Sequence, residues 1–207
     1  MPVKRYDRDY YERWYRDRRT RVHQRGAVER KVRLAVATTE YLIQRPIRCV
    51  LDVGCGEAPW QPILHRLRPG VRYAGVDSSE YAVRRFGRRR NIRLGGFGAL
   101  GELGLEGPFD LIVCADVLHY VPNRELRRGL TALVEMLQGV AWIEVFTRAD
   151  HIAGDLHEMK RRSPAHYDRL FREVGLQHCG LYSFVRDDFA LGTTAFERGR
   201  GRRGRRR

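Results

Sequence analysis

Val50-Leu51-Asp52-Val53-Gly54-Cys55-Gly56-Glu57-Ala58-Pro59-Trp60 is the stretch that decides the fold. An apolar run with one acid enters a Gly-x-Gly turn, and Pro59 suits the first turn of a following helix. Apolar residues on both faces read as a strand covered on both sides. The glycines let the backbone turn tightly and approach a ligand, and the helix start behind them offers unpaired N–H groups. Taken alone, the pattern is a generic nucleotide-site signal, and it also fits an ordinary strand-to-helix turn.

Downstream, Tyr73-Ala74-Gly75-Val76-Asp77-Ser78-Ser79 reads as a second strand ending in an acid about 20 residues beyond the glycines, where a carboxylate can accept ribose hydroxyls. Asp77 equally suits an N-cap for the segment from Ser79. A third run, Phe109 to Val121 (FDLIVCADVLHYV), is a strand opening into a loop. The apolar runs place strands at Arg48–Val53, Val71–Val76, Ile92–Leu94, Leu111–Cys114 and Val140–Phe146, with helices between them. This alternation predicts a doubly wound α/β sheet. After a helix ending near Val174, Leu176–Val185 and Phe189–Glu197 read as an antiparallel closing hairpin turning at Arg186–Asp188. Residues 95–107, with six glycines in thirteen positions, read as loose.

LDVGCG, GVDSS and FDLIVCADVLHYV, in that order and at those separations, resemble the class I S-adenosyl-L-methionine (SAM) dependent methyltransferases of the small-molecule type. The resemblance covers roughly residues 48 to 147. It implies a Rossmann-like, mostly parallel seven-stranded sheet with an antiparallel C-terminal hairpin. It also implies that Asp52, Gly54, Cys55 and Gly56 contact the methionine part of SAM, and Asp77 the ribose. Ser78 would lie by the adenosine, and Ala115 and His119 near the sulfonium. Two departures stand out: Ala58 replaces a frequent third glycine, and the acid that usually holds adenine after the third strand is missing from Leu94-Gly95-Gly96-Phe97-Gly98. Gly96 backbone groups and the Phe97 ring are the substitutes this segment offers. NAD is the competing nucleotide, but its Gly-x-Gly-x-x-Gly fingerprint is interrupted by Trp60-Gln61.

Upstream of the decisive stretch, Tyr6, Tyr10 and Trp14 recur at helical spacing with Tyr11 and Tyr15 beside them. A second helical pattern runs from Val28 to Ile43 and stops at Pro46. The expected organisation is residues 1–44 as N-terminal helices, 45–197 as the methyltransferase domain and 198–207 as a disordered Arg/Gly tail. The aromatic stripe suits either a lid over an organic acceptor or packing against the sheet or a partner.

The net charge of +15 is concentrated at the ends. Residues 1–33 hold 12 basic and 5 acidic groups and residues 198–207 hold seven Arg, whereas residues 34–197 hold 21 basic and 20 acidic groups. Only Lys4, Lys31 and Lys160 of the 40 basic residues are lysine. A nucleic-acid partner, as in an RNA- or ribosome-associated methyltransferase, is therefore an alternative to the favoured small-molecule acceptor, and a non-catalytic SAM-binding protein is another. Four scattered cysteines make no CxxC pair, so a metal site is not expected. No apolar run approaches the roughly 20 residues of a membrane span, and no secretory signal is recognisable, so a cytoplasmic location is expected.

His119 is the candidate general base by intrinsic pKa and position. Glu144 interrupts the apolar strand AWIEVF and is a second catalytic candidate, with an internal hydrogen-bonded role as its alternative. Asp116 reads as a cap for the helix near Asn123 or a ligand for loop amides. The absence of Asn-Pro-Pro-Tyr, Asp-Pro-Pro-Tyr and Pro-Cys sequences after the fourth strand disfavours nucleobase and glutamine methylation.

Overall fold

The structure is a computed structural model and describes residues 4–20, 26–152 and 154–194. A short α1 (Arg8–Tyr11) widens into a π-helical turn (Glu12–Arg16), followed by α2 (Ala27–Ile43). Then β1 (Cys49–Val53), α3 (Trp60–Leu67), β2 (Arg72–Asp77), α4 (Glu80–Arg90) and β3 (Ile92–Leu94) alternate. A 3₁₀ helix (Phe97–Glu102) leads to β4 (Phe109–Ala115), α5 (Asn123–Met136), β5 (Leu137–Glu144), α6 (Pro164–Glu173), β6 (Leu176–His178), β7 (Ser183–Arg186) and α7 (Asp187–Ala190).

The seven strands lie in the order β3-β2-β1-β4-β5-β7-β6. The first five are parallel, while β7 runs antiparallel to both β5 and β6. The order reverses between β1 and β4, and ligands in such sheets bind beyond the carboxyl ends at that switch. Every residue of β1 is buried because helices cover both faces. One layer packs Leu126, Leu130 and Leu133 of α5 with Phe171 of α6. The other packs Val32 and Val36 of α2 with Leu64 of α3 against Val50 and Trp142. Full burial of each such side chain stabilises the fold by about 1.5–3 kcal/mol relative to exposure.

At the amino end of β4, Asp110 is fully buried and ties four segments together. It accepts from Arg45 (2.5 Å), the Arg48 and Cys49 amides (2.6 and 3.2 Å) and Gln138 (2.7 Å). Burial alone would raise its pKa, but the Arg45 guanidinium and the two amides hold it below the usual carboxylate value.

Three sequence expectations change here. The hairpin exists, but both its strands come from within Leu176–Arg186; the turn falls at 179–182, and Asp187–Ala190 is helical. Its two strands are short because Gly180, Leu181 and Tyr182 all take positive φ (98°, 40° and 65°) and turn the chain there; Gly180 marks the turn in the sequence, whereas left-handed Leu181 and Tyr182 do not. The glycine-rich segment is docked rather than loose. Gly98 lies against Glu125 and Gly129 against Phe97, so closely that a Cβ at either would clash. Finally, α5 starts behind Pro122 with no side-chain cap, so Asp116 does not cap it. The expected tail, residues 198–207, lies outside the described residues. Among the described residues no helix is long and apolar enough to cross a membrane.

Candidate cofactor and acceptor site

Gly54 and Gly56 take left-handed conformations (φ 69° and 55°), which glycine adopts without a Cβ penalty. The Gly54 amide donates to Val76 O at 2.7 Å, folding the turn back onto β2. A Cβ on Gly54 would come within 2.2 Å of the Val117 side chain. Ala58 occupies a third left-handed position (φ 54°) and is fully buried, so the place of the missing glycine still has a glycine-like backbone.

Asp77 closes the other wall. Its carboxylate accepts from the Gly56 amide (2.6 Å) and the Ser79 amide (2.7 Å), joining the glycine turn to the end of β2. Burial raises its pKa, and those two amides oppose the rise. Ser79, not Asp77, caps α4, accepting from the Ala82 amide at 3.1 Å. Ser78 is exposed beside it. The Gly95 amide donates to Asp77 O at 2.9 Å, bringing Gly96 to the same edge, where a Cβ would meet nothing within 4 Å. The Phe97 ring is not brought to this edge; it is buried against Gly129 of α5.

Asp52 is buried and accepts from the Tyr73 hydroxyl at 2.8 Å. Burial, aided by repulsion from Asp77 and opposed by the Tyr73 bond, pushes its pKa up to about 7. The Cys55 side chain packs towards Gly75, so this residue presents only backbone to the turn. Burial raises its thiol pKa, which keeps it an inert thiol.

At the end of β4, Ala115 is half-buried and Asp116 adopts φ 61°, a strained conformation for a non-glycine residue. Glu144, at the register position of Ala115 on β5, pairs with Lys31 of α2 at 2.6 and 2.8 Å. Burial and the Glu144 charge raise the Asp116 pKa to about 6, with Lys31 opposing. His119 is 2% exposed, and its Nδ1 accepts from the Phe146 amide at 3.4 Å. Burial, with Lys4 and Arg162 nearby, lowers its pKa to about 4. Arg162 braces the same loop, donating to Leu118 O at 3.1 Å and to Val121 O.

The N-terminal segment crosses these strand ends. Tyr6 O accepts from the Ser79 hydroxyl, Tyr11 packs on Gly56 and against Tyr81 of α4, and Arg16 pairs with Glu57. Desolvation, with Asp116 and Asp77 nearby, raises the Tyr15 pKa. Lys4 bonds Asp155 at 2.7 Å and sits over the Tyr120 ring, 3.6 Å from its centroid.

A family model described as a methyltransferase domain matches residues 11–189. The chain belongs to this family. Among solved structures, a plantazolicin methyltransferase, BamL, in complex with a triazolic desmethylPZN analogue and SAH superposes with a TM-score of 0.60 at 14% identity, over 83% of this chain and 71% of that one. SAM-bound CalS10, an amino pentose methyltransferase from Micromonospora echinaspora, gives 0.52 at 18%, over 65% and 56%. An O-methyltransferase family protein from Burkholderia thailandensis gives 0.51 at 16%, over 76% and 56%. The methyltransferase domain described here thus spans little more than half the length of the latter two proteins. No curated protein matches the sequence.

Several residues that shape this candidate site are not visible as motifs. Lys4 and Asp155 lie 151 positions apart, Lys31 and Glu144 lie 113 apart, and Arg162 reaches back to Leu118. One signal was available: a chain that otherwise uses Arg keeps lysine at three places, and two of them, Lys4 and Lys31, bring their ammonium groups to the site, while Lys160 brings only its backbone amide. Lys4 meets Tyr120, Lys31 meets Glu144, and the Lys160 amide donates to His119 O at 2.7 Å.

Proposed function

We propose that this protein is a SAM-dependent methyltransferase that methylates an oxygen or nitrogen of a small-molecule acceptor. The observation that carries this reading is the junction of the left-handed Gly54–Gly56 turn with the Asp77 carboxylate at the switch in strand order. The residues present fit SAM. Two glycines form a cradle that a Cβ would fill, Asp77 offers oxygen acceptors to a ribose, and the open edge at Gly96 leaves room for a base beside Ser78. Gly54, Cys55 and Gly56 would hold the methionine end through their backbone, with Asp52 behind them and Ala115 and His119 bordering the sulfonium. Bound there, SAM supplies an activated methyl group.

The chain's own part is binding, orientation and exclusion of water. The strap of residues 4–16 lies over the strand ends and serves as the lid, so cofactor and acceptor enter when it lifts. His119, neutral at pH 7 and accepting a bond at Nδ1, is a positioning residue for the acceptor loop. Glu144, neutralised by Lys31, sets the charge environment of Asp116. Where the acceptor must lose a proton, Asp116 takes it, because burial and the Glu144 charge bring its pKa to about 6, close to neutrality, at the end of β4.

Calorimetry with S-adenosylhomocysteine and with NAD tests the reading. Micromolar binding of S-adenosylhomocysteine with none of NAD is expected, and the reverse result would overturn it.

A further inference from the structure

The ammonium group of Lys4 is enclosed as a ligand would be. It lies 3.6 Å from the centroid of Tyr120, 5.1 Å from that of Tyr6 and 5.6 Å from that of Tyr10. It bonds the Asp155 carboxylate at 2.7 Å and His157 O at 3.3 Å, and its side chain is only 5% exposed. Aromatic faces attract a cation through their quadrupole, and the attraction strengthens as water is excluded. Burial lowers the Lys4 pKa, and the Asp155 bond works to restore it. A compact ammonium with three N–H donors suits this box, whereas a planar guanidinium would not reproduce the same contacts. A chain with only three lysines among 40 basic residues places one of them here.

The walls come from three separate segments. Tyr6 and Tyr10 belong to the strap, Tyr120 to the loop after β4, and Asp155 to the segment after β5. The box is therefore complete only when the strap is down. Tyr120 packs at a tilt against His119 (4.3 Å between ring centroids), and Tyr10 meets Tyr11 (5.6 Å between centroids), which covers Gly56, so the box adjoins the cofactor cleft on two sides.

We propose that Tyr6, Tyr10, Tyr120 and Asp155 form a binding site for a primary alkylammonium group, which Lys4 fills from within and which the ammonium group of the acceptor takes over. The part concerning the acceptor rests on the methyltransferase reading above. A protonated nitrogen has no lone pair for methyl transfer, so the group held here is an anchor, and the atom that receives the methyl lies elsewhere on the acceptor. An acceptor anchored in the box would hold the strap closed over itself.

Trypsin reads strap closure directly, because Arg8 and Arg13 are exposed within it. Lys4→Ala, and Lys4→Met, which keeps the stem, should be cut after these residues at least tenfold faster than wild type. Propylammonium at tens of millimolar should slow that cutting towards the wild-type rate. Tetramethylammonium, with no N–H for Asp155 or His157, should not, and Asp155→Asn in the Lys4→Ala background should abolish the protection. Cutting of both Lys4 variants at the wild-type rate, or no protection by propylammonium, would overturn the site. For the acceptor, methyl transfer from labelled SAM into a small-molecule extract should disappear after the extract's amines are acetylated, and undiminished transfer would overturn that part. Calorimetry with S-adenosylhomocysteine on the same samples separates either failure from failure of the methyltransferase reading.

Discussion

The glycine turn and the strap that crosses it are built from different interactions. At the turn, backbone amides of Gly54 and Gly56 bond β2, and fully buried Leu51 and Ala58 lie within the same stretch. In the strap, ion pairs and ring contacts do the holding: Lys4 with Asp155, Arg16 with Glu57, Tyr11 with Tyr81. Backbone bonds between packed strands persist whether or not a ligand is present, whereas an exposed pair such as Arg16–Glu57 is worth about 0–1 kcal/mol, and the enclosed Lys4–Asp155 pair holds only while the strap keeps water out of its box. The cofactor half is thus formed in advance, and the acceptor half can open and adapt.

The sharpest way to break that contrast is Gly54→Val, which combines a left-handed φ with a clash against Val117. It should abolish S-adenosylhomocysteine binding and cost about 3 kcal/mol, roughly 10 °C in melting temperature. Calorimetry and a thermal melt would show both, and wild-type binding would mean the turn is not the cradle. Asp77→Ala should weaken S-adenosylhomocysteine binding about 100-fold, because it removes the ribose acceptor and frees two amides it had fixed. On the strap side, deleting residues 1–20 should leave that affinity within a few-fold while turnover, once an acceptor is known, is lost. Collapse of the fold on truncation would place the strap with the rigid half.

A subtler test concerns Asp116. Burial and Glu144 raise its pKa to about 6, so the folded state takes up a proton that the unfolded state, at about 3.8, does not. Its contribution to stability is therefore greatest at low pH and declines as pH rises from about 4 through about 6. Glu144→Gln removes the repulsion and leaves Lys31 facing Asp116, so the Asp116 titration followed by carbon NMR should move downward. No movement would show that burial alone sets it. The smallest effect is expected for Ala58→Gly: relief of left-handed strain and loss of one buried methyl are each about 1 kcal/mol and oppose each other. A melt shifted by less than about 3 °C is expected; a larger fall would make the Ala58 methyl a structural requirement.

The same contrast explains what could be read from the amino acids. Strands β1 to β5 were legible within a few residues because continuous apolar runs between glycine turns have few other solutions. The turn, Asp77 and the β4 loop were legible because each sits at a strand end. The strap's aromatic stripe was visible, but its docking surface was not, since Tyr11 meets Gly56 across 45 positions. His119 illustrates the limit: its residue type suggests a base, and only burial and the Phe146 bond make it a neutral acceptor. The closing hairpin was misplaced because its turn carries a single glycine, Gly180, and is completed by left-handed Leu181 and Tyr182, residue types that rarely adopt that conformation.

Asp110, at the opposite end of β4 from the cleft, implies a gradient in how the molecule breathes. One buried carboxylate there gathers the chain before β1, the start of β4 and the start of β5, and two of its four partners are the backbone amides of Arg48 and Cys49. Those amides should be among the last to exchange with deuterium, since freeing them strands a buried charge. Exchange should quicken along each of the parallel strands β1 to β5 towards its carboxyl end. Motion that admits ligands would then be confined to one pole of the sheet, like a book bound along one edge, and the protein could open widely at the cleft without loosening its spine.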